Sequence, residues 1–217
     1  MNLFGRRNKY DRKILLQDAH EAQRRGKHKK AIAKLRRVLT REPNNSEIHA
    51  MIAPSLAARG LEFNAWESYL RAARAMIRNG KKESAIKIFQ NATQRMPRRY
   101  EAWTSKATLE RRMGRKKDAI QTLGQALPHF RRRATRHPLI SLLRLRLQIN
   151  PMDRETTLEL SSLLSKTGQK EEAKMRLAKL AESSNGRLLR QVRRNQWSIE
   201  PSLVHSWLWL RSCVAST

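Results

Sequence analysis

The chain has 217 residues, of which 39% are hydrophobic and only 6% aromatic, and 47 Lys and Arg against 18 Asp and Glu give a formal net charge of +29. Such a charge resists compaction by self-repulsion, so we expect an anionic partner. Cys213 is the only cysteine, which excludes an internal disulfide and a cysteine-built zinc site and favours a reducing, cytoplasmic setting.

No targeting or membrane-spanning segment is predicted. Residues 1–10 are interpreted as a basic N-terminal arm that lacks the apolar stretch of a signal peptide. The best apolar run, Leu203 to Leu210, contains His205 and Ser206 and is far shorter than the roughly 20 residues of a membrane span. We therefore expect no integral membrane association.

One spaced pattern of small residues and glycines recurs from residue 11 onward. Its first copy is Ala19, Gly26, Ala31, Leu35, Val38 and Pro43, at intervals of 7, 5, 4, 3 and 5. The first four intervals return in the copies that begin at Ala53, Ala73, Ala107 and Ser161. The glycine favours the end of one helix because it adopts a left-handed backbone without a Cβ clash. The triad after it places a packing stripe on a second helix, so each copy predicts a helix, a tight turn and a helix.

The pattern resembles the tetratricopeptide repeat, whose consensus has small, Gly, Ala, aromatic, Ala and Pro positions in about 34 residues. Trp103 stands where that consensus has Trp, and the likeness covers most of residues 11–183. The chain as a whole is similar to small basic bacterial tetratricopeptide proteins. The resemblance implies an all-α fold, a right-handed α-solenoid of antiparallel helix pairs with about 11–12 helices.

The pattern also has irregularities. Gly60 and Gly80 are too close together for two helices to fit between them, so one helix, about Leu61 to Asn79, is expected to serve two successive repeats. Residues 128–138 are predicted as an irregular basic linker, followed by a lone second helix from Leu139 to Pro151. Pro43, Pro97 and Pro151 are evenly spaced along the chain, which either a three-helix unit or coincidence explains.

Residues 184–217 are predicted to form two basic, Trp-rich helices that cap the array, because a solenoid needs its last apolar face covered. The apolar stripe of the second helix includes Leu203, Val204, Trp207 and Leu210. Most of the Trp side chains are expected to pack in this pair, and Trp209 lies off the main stripe.

No catalytic constellation, metal site or cofactor site is evident, so we expect no enzymatic activity. The six His residues are scattered, and no Gly-rich segment has the spacing of a phosphate-binding loop.

Basic turns are the first candidate binding surface. Equivalent turns of successive repeats stack side by side in a solenoid, so we expect them to form one cationic edge that contacts the partner. The residues of this basic edge are Arg24, Arg25, Lys27, Arg78, Lys81, Lys82, Arg111, Arg112, Arg115, Lys116 and Lys117. The alternative is that these charges are simply solvated.

A C-terminal basic face is the second candidate, with Arg187, Arg190, Arg193 and Arg194 spaced along one side of a helix. Arginine suits bidentate contact with carboxylate or phosphate.

Resemblance adds a third candidate, the concave face that tetratricopeptide arrays use for ligands. Its predicted contacts are Lys13, His20, Arg74, Thr104 and Thr108. The Asn-rich carboxylate clamp of chaperone-binding members is missing. The predicted function is a non-catalytic scaffold that binds an acidic protein or peptide partner through the concave face and the basic edge. The alternative is sequence-independent binding of nucleic acid or a ribonucleoprotein through the Arg/Lys-rich surface.

Overall fold

The structure, a computed structural model, describes residues 10–214, apart from the side chain of Val214. Over this range the chain forms twelve α-helices and no β-strand, which confirms the predicted all-α fold. Of the predicted N-terminal arm, only Tyr10 lies within the described residues. The helices are α1 (Arg12–Arg24), α2 (His28–Leu39), α3 (Ser46–Ala58), α4 (Glu62–Arg78), α5 (Lys82–Arg95), α6 (Tyr100–Arg112), α7 (Lys116–Ala126), α8 (Arg136–Ile149), α9 (Arg154–Lys166), α10 (Lys170–Glu182), α11 (Gly186–Ile199) and α12 (Leu203–Val214).

Five of the helices end in the same hydrogen-bonded turn around a glycine. In the first turn Gly26 has a φ of +68°, and the Lys27 N–H donates to the Ala22 carbonyl at 2.8 Å. This bond, from the residue after the glycine back to the last helical turn, defines a Schellman motif. The same bond follows Gly60, Gly80, Gly114 and Gly168, at 2.9–3.0 Å. The predicted helix–turn–helix units are confirmed.

The recurring positions of the sequence pattern form the core between the paired helices. The small residue that begins each copy is 0% exposed in all five, namely Ala19, Ala53, Ala73, Ala107 and Ser161. The large residue of each triad is at most 3% exposed, as at Leu35, Tyr69, Phe89, Leu123 and Leu177. Small side chains let one helix approach its neighbour closely, and the large ones fill the remaining space.

Helix α4 serves two repeats, as predicted. It has 17 residues and packs against both α3 and α5. Ala72 and Ala73 belong to successive copies of the pattern, and both are 0% exposed. Tyr69 donates a hydrogen bond from its hydroxyl to Asn91 Oδ1 of α5 at 2.5 Å.

The helices recur in sets of three. Helices α3, α6 and α9 begin at evenly spaced positions (46, 100 and 154), and the same interval separates the starts of α4, α7 and α10 (62, 116 and 170). Helices α5 and α8 repeat the interval (82 and 136), and both have 14 residues. Trp103 Nε1 donates to the Pro97 carbonyl at 2.9 Å, and His49 Nε2, at the equivalent position of the preceding set, lies 2.9 Å from the Pro43 carbonyl. The three-helix unit therefore explains the spacing better than coincidence.

The chain divides into two compact units, residues 1–109 and residues 110–217, so that the division falls within α6. In the first unit the largest fully buried side chains include Tyr69, Leu35 and Met96. In the second they include Phe130 and Leu143. Each unit therefore has an apolar core of its own.

The predicted linker is partly ordered into two short 3-10 helices, Leu127–Phe130 and Arg133–Thr135. The Thr135 hydroxyl donates to the Phe130 carbonyl at 2.7 Å and so joins the two. Helix α8 follows at Arg136, slightly before the predicted start at Leu139. Pro138 lies in its first turn, where the missing N–H of proline is tolerated.

The C-terminal helix pair forms as predicted, but the apolar stripe of α12 faces solvent and not α11. Helix α11 packs on α10 and α12 packs on α11. Leu203 is 92% exposed and Trp207 57% exposed, so the expected burial of that stripe is wrong. Trp209 instead lies in the interface, stacked on Trp197 with 6.4 Å between the ring centroids. Amphipathic spacing defines a stripe without defining which side a neighbouring helix covers.

Candidate partner-binding surfaces

A cationic recess lies at one end of the first unit. The α1–α2 turn and the end of α3 enclose about 620 Å³. Lys27, Lys29, Lys30 and Arg59 line it, all four are exposed, and no carboxylate lines it. The predicted residues Arg24 and Arg25 flank this turn.

Arg59 was not predicted as a site residue, because the turn around Gly60 also contains Glu62 and was therefore read as an interruption of the basic edge. In the structure the turns at Gly26 and Gly60 lie at the same end, since α2 and α3 run in opposite directions between them. Arg59 therefore completes a recess that begins in the preceding hairpin. We name this surface the Gly26 recess.

The expected single cationic edge is wrong for the first unit. Helix α4 separates the turn at Gly60 from the turn at Gly80, and its 17 residues span about 25 Å at 1.5 Å per residue. Arg78, Lys81 and Lys82 are exposed but lie at the opposite end from the Gly26 recess. The cause is the shared helix, because one helix instead of two lies between these successive turns.

The remaining edge residues belong to the second unit and surround Gly114. Arg112, Arg115, Lys116 and Lys117 are exposed, and Arg111 is half-buried. Their role as partner contacts stays a prediction.

The predicted concave-face residues lie on three separate helices. Lys13 and His20 are exposed on α1, one above the other at positions i and i+7. Arg74 is exposed on α4, which packs against α3 and α5. Thr104 and Thr108 are half-buried on α6, and the Thr104 hydroxyl donates to the Glu101 carbonyl at 3.2 Å. The two threonines are therefore less available to a ligand than the three exposed side chains.

The C-terminal basic face lies on α11. Arg187 and Arg194 are exposed, and Arg190 and Arg193 are half-buried. Arg193 Nη1 donates to Gln196 Oε1 at 2.9 Å. Trp197, 43% exposed, lies at i+3 from Arg194 on the same side of the helix.

A groove of about 790 Å³ lies between α8 and α10, over the first turns of α9. Its α8 wall is Arg144, Leu147 and Gln148, at positions i, i+3 and i+4, which share one helix face, and Pro151 follows in the turn after the helix. We name this surface the α8–α10 groove. All of its lining residues belong to the second unit.

The α10 wall repeats the same spacing with Arg176, Lys179 and Leu180, and Ser183 follows at the end of the helix. Arg154 and Thr157 of α9 contribute to the lining between the walls. Sequence reasoning missed this site because the cations on α9 and α10 have acidic neighbours in sequence. The i, i+3 and i+4 stripes were the available signal.

One carboxylate organises part of the groove. Arg144 Nη2 lies 2.6 Å from Glu172 Oε2, and Arg176 Nη2 lies 3.0 Å from Glu172 Oε1. Partial burial opposes ionisation of Glu172, but hydrogen bonds from Arg176 and Arg144 outweigh it and lower the pKa of this carboxyl. Glu172 is therefore ionised at neutral pH and holds both guanidinium groups at the groove.

Among the described residues, no group of three or more His, Cys, Asp or Glu is placed to hold a metal ion. Within the same range, no helix is both long and apolar enough to cross a bilayer.

Comparison with known proteins agrees with the helical hairpins. A family model described as tetratricopeptide repeat matches residues 70–135. No curated protein is significantly similar to the chain.

Many solved structures resemble the chain at low identity. A tetratricopeptide repeat protein from Parabacteroides merdae is 13% identical, with a TM-score of 0.33, and the match covers 94% of this chain and 91% of that one. A thermophilic tetratricopeptide repeat protein of Thermus thermophilus is 18% identical, with a TM-score of 0.28, and the match covers 87% of this chain and 98% of that one. MamA from Desulfovibrio magneticus is 14% identical, with a TM-score of 0.30, and the match covers 79% of this chain and 93% of that one. These TM-scores are too low to support a shared function.

The family match at residues 70–135 includes two of the five glycine-ended hairpins, and the other three carry the same buried small and large positions. Residues 70–135 are therefore similar to the tetratricopeptide repeat, and the helical hairpins outside that segment have the same arrangement of buried positions.

Proposed function

We propose that this protein is a non-catalytic scaffold that binds an acidic protein or peptide partner. Tetratricopeptide repeat proteins are in general protein-interaction scaffolds. The observation that carries the proposal is the Gly26 recess, where Lys27, Lys29, Lys30 and Arg59 converge without a carboxylate. Like charges that line one recess repel one another, so an acidic ligand relieves a repulsion that the free protein retains.

The test compares charge reversal at the two ends of the first unit. The probe is a short fluorescein-labelled glutamate-rich peptide, followed by fluorescence anisotropy. Reversal of the recess, Lys27→Glu/Lys29→Glu/Lys30→Glu, is expected to weaken binding about tenfold or more, since each lost charge-assisted contact contributes on the order of 1 kcal/mol.

The matched control is Arg78→Glu/Lys81→Glu/Lys82→Glu, which changes the net charge equally at the opposite end of the same unit. It is expected to weaken binding only slightly. An equal loss in both variants would show that the peptide responds to net charge and not to the recess. Circular dichroism of both variants checks that the helices remain folded.

Nucleic acid is the second candidate ligand, and the observation that favours it is α11. There, exposed Arg187 and Arg194 lie with a partly exposed Trp197. Cations and an aromatic platform together bind single strands. Trp197→Ala is then expected to weaken binding of a single-stranded RNA by about 1–3 kcal/mol, and Trp207→Ala, on the outer face of α12, serves as the control.

The salt dependence of the binding affinity distinguishes an RNA ligand from a peptide ligand. RNA affinity is expected to fall with a logarithmic slope of about 0.7 per contacted phosphate, whereas a peptide with a few carboxylates and apolar contacts has a shallower slope. RNA that remains bound through nuclease treatment and moderate salt favours the second candidate. A cytoplasmic location remains part of the proposal and rests on the single cysteine.

A further inference from the structure

The α8–α10 groove carries an uncompensated positive charge. Its lining contains the four cations Arg144, Arg154, Arg176 and Lys179 and no carboxylate. Glu172, behind the lining, pairs with Arg144 and Arg176, so four positive charges and one negative charge leave a net +3. A ligand with several negative charges therefore complements the groove.

Arg154 and Lys179 are the two lining cations that are not paired with a carboxylate in the described part of the chain. Both are exposed, and neither makes an ion pair within residues 10–214. Asp153, which precedes Arg154 in sequence, pairs elsewhere, because it accepts from the Thr156 N–H at 3.0 Å and lies 3.0 Å from Arg146 Nε. These two side chains are therefore free to contact a ligand.

The other two cations are held in place. Arg144 Nη2 donates to Gln169 Oε1 at 2.9 Å as well as to Glu172, and Arg176 Nε donates to Glu172 Oε1 at 3.0 Å. A guanidinium group fixed in this way loses less conformational freedom when it binds a carboxylate. Half of the cationic rim is therefore preorganised.

The groove also has apolar lining. Leu147 and Leu180 are 9% and 6% exposed and lie on facing walls. Met152, which is 85% exposed, lines the groove next to Pro151. An exposed methionine adapts its shape to an apolar partner. Simple hydration of the cations does not account for an exposed apolar side chain at the same place.

One occupant fits both features. Free phosphate or a nucleic acid backbone would neutralise the cations but leave the exposed Met152 uncovered, and a second copy of this chain would bring another +29. The volume of about 790 Å³ is within the range of sites that enclose small ligands.

We infer that the α8–α10 groove binds a short acidic peptide segment that carries an apolar side chain. Its carboxylates contact Arg154 and Lys179, and its apolar side chain lies against Leu147, Leu180 and Met152. This inference rests on the proposed function and deepens it, because it assigns a second site and a peptide chemistry to the scaffold.

The test uses three labelled peptides of equal length in fluorescence anisotropy. The first alternates Asp or Glu with Leu, the second replaces each Leu by Ser, and the third replaces each acid by its amide. The first is expected to bind at least about tenfold more tightly than either of the others, which corresponds to about 1.4 kcal/mol or more.

Two double variants locate the site. Arg154→Glu/Lys179→Glu is expected to reduce affinity for the first peptide about tenfold or more. Arg154 is the first residue of α9, where an acidic side chain is favourable for the helix, so the fold is retained. The control Arg131→Glu/Arg132→Glu makes the same change in charge at two exposed positions before α8 and is expected to retain most of the affinity. Met152→Ser, at an exposed position, is expected to weaken the Leu peptide and leave the Ser peptide unchanged.

The outcomes distinguish this inference from the proposed function. Equal loss in the two double variants, or equal binding of the Leu and Ser peptides, overturns the groove assignment. If the glutamate-rich peptide still depends on the Gly26 recess in that case, the proposed function stands alone. If the Leu peptide depends on Arg154 and Lys179 while the recess variant has no effect, the groove stands and the recess assignment fails.

Discussion

A glycine at a helix end and a glycine inside a helix should respond in opposite directions to the same substitution. Gly114 has a φ of +81° in the turn between α6 and α7, and Gly124 lies within α7. A Cβ built at either position meets nothing within 4 Å. Steric clash with other side chains is therefore absent from both Gly114→Ala and Gly124→Ala, and only backbone conformation remains.

The magnitudes follow from that conformation. A left-handed backbone costs an alanine about 1–2 kcal/mol, while the lower entropy of the unfolded chain returns about 0.4–1 kcal/mol. Gly114→Ala is thus expected to lower the free energy of unfolding by about 1 kcal/mol. Gly124→Ala is expected to raise it by about 0.5–1 kcal/mol, because alanine favours the helix interior.

Urea denaturation followed by circular dichroism at 222 nm measures both changes. With a slope of roughly 1–3 kcal/mol per molar urea, the two midpoints should move apart by about 0.5–2 M. Gly114→Asn should lie between wild type and Gly114→Ala, since Asn tolerates this conformation better. The reasoning is refuted if Gly114→Ala is neutral or stabilising, or if the two alanine variants shift in the same direction.

Three further predictions concern single interactions. Asp153→Ala should lower stability by about 0.5–2 kcal/mol at neutral pH, because it removes the N-cap of α9. Burial alone would raise the pKa of Asp153, but its hydrogen bonds lower it from 3.8. The contribution of Asp153 to stability is therefore present above about pH 4 and is lost as the pH falls through the folded-state pKa. The urea midpoints of the wild type and of Asp153→Ala should converge as the pH is lowered through this range. Tyr69→Phe should cost about 1 kcal/mol, since it leaves Asn91 without its donor, and no change in midpoint would contradict this. Leu203→Gln/Leu210→Gln should change stability by less than about 0.5 kcal/mol, and a large loss in the melting midpoint would mean that α12 buries this face after all.

The sequence was sufficient for features that depend on neighbours within one hairpin. The interval from Ala19 to Gly26 to Ala31 determines where a helix ends and which face packs, because both follow from local backbone geometry and helical periodicity. For the same reason the shared helix α4 could be predicted from the distance between Gly60 and Gly80.

Features that depend on which helix ends lie together, and on which helix faces pack against each other, were less predictable from the sequence. Arg144 and Arg176 are distant in sequence, and only the packing of α8 and α10 around α9 brings them to one groove. The direction of α4 moved Lys81 away from the Gly26 recess, although both turns have the same sequence pattern. The outward orientation of Trp207 likewise depends on α11, whose Trp197 contacts Trp209.

The shared helix α4 also bears on how the first unit opens. A helix packed on one side can separate from its neighbour while the rest of the structure remains, but α4 has buried contacts with a helix before it and a helix after it. Exchange of its central amide hydrogens with solvent then requires both contacts to break together. These amides should therefore be among the most slowly exchanging in residues 10–109, and they should report the global free energy of that unit and not a local fluctuation.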